Sequence, residues 1–114
     1  MASTGLIGPY DLTATEINRV VASENIGVYV LGHTGDDGTF YVTYVGRSDT
    51  DLNKRLHDWE NHYKKFKYGY FQSTKAAFEK ECQLYHDFEP PDNKIHPDRP
   101  NNTTYRCPVV TCPY

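Results

Sequence analysis

Two short runs of β-branched and aromatic residues, 26–31 and 40–45, flank the polar loop Gly32-His33-Thr34-Gly35-Asp36-Asp37-Gly38, and no other feature constrains the fold of this chain as tightly. Such side chains favour a half-buried, pleated backbone, and the glycines and aspartates between them supply turn chemistry. The segment predicts a β-hairpin. Alternation places Tyr29 on one face with Gly27 and Leu31, and Tyr44 on one face with Val42 and Gly46. Gly27 and Gly46 then leave bare backbone near the tyrosines, and a strand glycine marks either a bulge or a close approach.

After the hairpin, Leu52, Leu56, Trp59, Tyr63 and Phe66 recur at alternating spacings of four and three, which predicts a helix over 50–65 with one apolar stripe. Arg55 lies at the margin of that stripe, His62 projects along the same margin roughly 10 Å further on by helical rise, and His57 points away into solvent. Residues 67–72 alternate and predict a third strand with Gly69 as its bulge position. Ser73 or Thr74 then caps a helix running to Phe88 through Ala77, Phe78, Cys82, Leu84 and Tyr85. Glu81 falls near the centre of that apolar arc. A buried carboxylate needs a cation or donors, which here means a salt bridge to Arg55 or Arg47, or a bound divalent metal.

Thr13 followed by Glu16 reads as a capping box, and Leu12, Ile17, Val20 and Val21 give an additional N-terminal helix. The ten residues before it read as a loose arm ending at Pro9 and Tyr10. From Pro90 the chain turns rich in Pro, Asn and Asp, predicting an ordered loop and then a mobile tail, with a short strand at 105–110 confined to an edge by Pro108. The expected class is therefore α+β: a three-stranded antiparallel sheet flanked by helices, in a single domain spanning residues 1–114, with an irregular tail over 94–114.

The chain has 114 residues and a net charge of −3, enough length for one self-sufficient core and the wrong sign for tight autonomous binding to nucleic acid. Distribution matters more than the sum. Before Tyr44 the only Lys or Arg is Arg19, whereas Arg47, Lys54, Arg55, Lys64, Lys65, Lys67, Lys75 and Lys80 follow in a cluster and predict a local basic patch. With no apolar run long enough for a membrane and no leader pattern, the expectation is a soluble, cytoplasmic protein with reduced thiols. Cys82 reads as a core residue. Cys107 and Cys112 offer zinc-type ligands together with His86 or His96, but at irregular spacing; loosely packed tail thiols are the simpler reading.

Gly27-Val28-Tyr29, then Tyr44-Val45-Gly46, Arg55 on the following helix, Glu81 on a later one and Asn93 beyond it form an ordered set. Over about residues 26–93 this set resembles the GIY-YIG nuclease domain. The resemblance implies metal-assisted hydrolysis of phosphodiesters in DNA, with a protein partner as a source of target specificity. It implies that Glu81 holds Mg²⁺ or Mn²⁺, that Arg55 stabilises charge on the phosphoryl oxygens, and that Tyr29 takes the proton of the attacking water with Arg47 as the cation lowering its pKa. Tyr44 would orient water or phosphate, and Gly46 and Asn93 would support the substrate. One turn after Arg55, where that family commonly has His or Tyr, this chain has Trp59, leaving His62 as the candidate replacement. The rival reading is a module of the same fold that binds nucleic acid or a protein without cutting.

Overall fold

A computed structural model of the chain describes residues 4–100, 103–109 and 112. In order it forms β1 (Ile7–Asp11), α1 (Ala14–Val20), β2 (Gly27–Thr34), β3 (Phe40–Ser48), α2 (Leu52–His57), β4 (Lys65–Tyr70) and α3 (Thr74–Phe88). The four strands make one antiparallel sheet in the order β1-β4-β2-β3, one strand more than expected. The extra strand is the supposed N-terminal arm. Gly8 and Pro9 read as breakers, but Pro9 falls in the register shift between the pairs Ile7↔Tyr68 and Tyr10↔Phe66, on an outer strand where a missing N–H is tolerated.

The hairpin forms with longer strands than expected and sets Tyr29 directly opposite Gly46. Its register shifts between Leu31↔Tyr44 and Gly32↔Val42, leaving Thr43 as the extra residue, its hydroxyl donating to the Leu31 carbonyl at 2.9 Å. This bulge inverts the expected alternation. Val42 packs with Val28, Val30 and Val45, while Tyr44 lies on the opposite face with Tyr29 and Leu31. Gly69, read as a bulge position, sits in regular register opposite Val28.

Each face of the sheet is covered. Ile17 and Val21 at α1 and Leu52 and Leu56 of α2 pack with Tyr29, Leu31, Phe66 and Tyr68 on one side. Ala77 and Leu84 of α3 pack with Val28, Val30, Val42 and Val45 on the other. Thr13 caps α1 by accepting from Glu16 N, and Ser73 caps α3 by accepting from Ala76 N, both as their sequences suggest.

α2 is far shorter than the apolar spacing predicts. After His57 the chain tightens into turns in which Trp59 N–H reaches Leu56 O and His62 N–H reaches Trp59 O, three residues back. Asn61 then adopts a left-handed conformation with φ 64°, one that Asn tolerates, and its N–H reaches Leu12 O. Phe66, assigned to the end of the helical stripe, is instead a fully buried residue of β4. His57 is not free in solvent, since its ring nitrogens contact Glu60 and Asn18.

Past Phe88 no helix or strand forms among the described residues. The edge strand expected at 105–110 is not seen at 105–109, and Val110 lies outside the described residues. Tyr105 and Val109 pack instead against a small core of Phe78, Cys82 and Cys107, so Cys107 is buried rather than loose. No helix among the described residues is long and apolar enough to cross a membrane.

Candidate active site

A cavity of about 510 Å³ opens where outer strand β3 meets α2, α3 and the loop after α3. Tyr29 and Tyr44 come to it from the hairpin, Arg55 from α2, Glu81 from α3 and Asn93 from the loop. Gly46 and Arg47 complete the strand wall. Every proposed site residue except His62 therefore lines one cavity. His62, no longer on a helix, stands edge-on to Trp59 with ring centroids 6.1 Å apart and faces a different depression.

Gly46 is explained by Tyr29. A Cβ at position 46 would lie 2.3 Å from the phenol carbon and oxygen, so bare backbone here lets the ring lie across the strand. The Tyr29 ring is 2 % exposed, and its hydroxyl accepts the Trp59 indole N–H at 2.9 Å. Trp59 also packs on Tyr44 at 4.7 Å between centroids, so it lines the cavity as well as packing against the core. Burial, followed by the neighbouring Tyr44, holds the Tyr29 phenol well above the ordinary tyrosine range, while Trp59 and Arg55 pull the other way. Arg55 is thus a cation whose charge favours the Tyr29 phenolate.

Arg47 serves the opposite face. Its Nε and Nη2 grip both oxygens of Asp49 at 2.6 and 3.2 Å, and Nη1 donates to Glu81 Oε1 at 2.6 Å and to Asp98 O at 2.8 Å. Its guanidinium also sits 5.4 Å from the Phe78 ring centroid. Burial alone would lower its pKa, but the bond to Asp49 and the charges of Glu81 and Asp49 more than offset this and raise it. The partner carboxyl responds differently. Glu81 is 7 % exposed, and burial outweighs Arg47, leaving its carboxyl raised to about 7.

Arg55 keeps more freedom. Its side chain is 53 % exposed, its ion pair with Asp58 is a loose 3.8 Å, and it lines both this cavity and a neighbouring one bounded by Asp49, Lys54 and Asp58. Of the eight clustered basic residues, Lys65 pairs with Asp11 and Lys67 covers the Phe40 ring. The basic side chains that line this cavity are Arg47, Arg55 and Lys94, and Lys54 lines the neighbouring one.

Asn93 clamps the outer strand. Val45 N–H donates to its Oδ1 at 2.7 Å and its Nδ2 donates to Val45 O at 3.0 Å, so the side-chain amide takes the place of a neighbouring strand. Asp92 N–H bonds the bulged Thr43 carbonyl at 3.0 Å, and the Tyr63 hydroxyl donates to the Asp92 carboxylate at 2.6 Å. The cavity's loop wall is thus fixed at three points.

Sequence reasoning passed over Asp49, the partner of Arg47, and the loop residues Asp92, Lys94 and Asp98 of the cavity wall. Asp49 stands two residues after Arg47 along an extended backbone, a spacing that puts both on one face and could have signalled the pair. Trp59 gave no local sign of its bond to Tyr29. Comparison of the chain with family models, with curated proteins and with solved structures found no match.

Proposed function

We propose that this cavity is a phosphodiesterase site and that the chain is a divalent-metal-dependent endonuclease acting on DNA. One observation carries the reading: Tyr29, Tyr44, Arg55, Glu81 and Asn93, the set on which the likeness to GIY-YIG nucleases rests, come from two strands, two helices and a loop to line a single cavity.

The donor chemistry fits a hard cation. Glu81 is an oxygen ligand on the cavity wall whose ionised form is under-compensated by Arg47, so a divalent ion there would supply the missing positive charge. When bound, Mg²⁺ or Mn²⁺ would polarise the phosphoryl group and stabilise the leaving oxygen. The chain's own residues do the rest. Arg55, mobile and forked, pairs with the non-bridging oxygens as charge develops. Tyr44 binds phosphate or water at the rim. Tyr29 is the proposed base for the attacking water and acts only as the phenolate, its own proton having first passed to solvent; burial opposes that form, whereas the Trp59 N–H and Arg55 favour it. Arg47 positions Glu81 and does not touch substrate, and Asn93 acts by holding β3 in place.

A second reading, a module that binds nucleic acid or protein without cutting, draws support from the closed Glu81–Arg47 contact at 2.6 Å. Cleavage assays separate the two. Branched, nicked, duplex and single-stranded DNA and RNA are incubated with Mg²⁺ or Mn²⁺ and wild type, Glu81→Ala or Arg55→Ala. The nuclease reading expects wild-type cutting that falls by on the order of 10²–10³-fold in each variant. Retained binding without cutting by wild type would favour the second reading.

A further inference from the structure

Next to the cavity, at one of its lining residues, His96, four soft donors converge. Nitrogens of His86 and His96 and the sulfurs of Cys107 and Cys112 lie within 4.8 Å of one another. The edges of a tetrahedron with metal bonds of about 2.0–2.3 Å measure roughly 3.3–3.8 Å, so closing on an ion needs each donor to move by about 1 Å or less. We propose that these four residues form a closed, structural Zn²⁺ site that ties the C-terminal segment to α3.

Three further observations point to a ligand here. Nε2 of His86 is buried and has no hydrogen-bond partner, an uncommon state for an imidazole nitrogen and one that a metal bond relieves. Nδ1 of His96 lies 2.9 Å from the Pro97 carbonyl, which can only accept. That contact places the proton on Nδ1, the tautomer in which Nε2 is the metal-ligating nitrogen, and it is the arrangement by which an outer partner orients a ligating histidine. Finally, the described residues after Phe88 form no helix or strand, yet Cys107 is buried against Phe78 and Cys82. An irregular segment of this length needs something other than backbone ladders to hold it.

Two thiolates and two imidazoles select zinc over Mg²⁺ or Ca²⁺. The Cys-x4-Cys pair has the short spacing of zinc ligands; the histidines are further apart because one ends a helix and the other lies in the loop packed against it. Binding releases the two thiol protons. His96 also borders the cavity, so the site would brace the loop between Asn93 and Asp98. It is independent of the metal proposed at Glu81.

The full chain, purified under reducing agent, is assayed for zinc by plasma mass spectrometry, then stripped and titrated with Co²⁺ under absorbance. One zinc per chain is expected, with tetrahedral d–d bands and a thiolate-to-cobalt charge-transfer band. Cys107→Ser with Cys112→Ser should abolish both, Cys82→Ser should keep both, and a chelator should lower the melting midpoint of wild type but not of the double variant. Wild type with all thiols reduced but neither zinc nor a charge-transfer band overturns the site. So does a double variant that retains the metal, or a Cys82→Ser variant that loses it.

Discussion

Glu81 is held between two opposing forces, the cost of burial and the pull of Arg47, and its carboxyl stands at about 7 against an ordinary 4.5. Between those values the folded chain keeps a proton that the unfolded chain has released. Stability of the metal-free site therefore falls as pH rises through that window and levels off above about 7. The expected loss is about 3 kcal/mol from below pH 4.5 to above pH 7, read as the difference in pH slope between wild type and Glu81→Gln in urea titrations without added Mg²⁺ or Mn²⁺. Equal slopes would mean that Arg47 keeps Glu81 ionised throughout. The candidate residues were legible because side-chain type and order are written in the chain. Their partners were not: Arg47 turns to Asp49 and Glu81, and Trp59 donates to Tyr29, only once strands, turn and helix have met.

Among the elements, α3 and the hairpin were readable because their signals are local: a serine cap and a long apolar face in one, a glycine-rich turn between β-type runs in the other. α2 misled because Trp59 and Tyr63 keep a helical spacing while occupying turns that follow the helix. The bulge at Thr43 was equally silent in sequence, yet it decides which face receives Tyr44. The loop after α3 stabilises β3 through Asn93, whose amide makes two bonds to Val45. Asn93→Ala should cost about 1–3 kcal/mol in a urea titration and speed amide exchange at Val45, with little change at Val30 in the sheet interior.

For the molecule as a whole, two helices cover one face of the sheet and one covers the other, and the cavity forms at an outer strand because only there can residues from both faces meet. The order β1-β4-β2-β3 could not be read from the chain, since it depends on a strand disguised by Gly8 and Pro9. An outer strand that builds a site also leaves a row of backbone donors and acceptors open to another chain. On β1 that row is interrupted by Pro9 and a register shift. On β3 it is plugged by Asn93 and Asp92, so the loop that walls the cavity also guards against strand addition between copies. Chains carrying Asn93→Ala, which uncovers Val45, together with Asp92→Ala, which removes the Tyr63 tether that holds the Asp92 N–H against Thr43 O, should self-associate in sedimentation at concentrations where wild type does not, whatever becomes of cleavage.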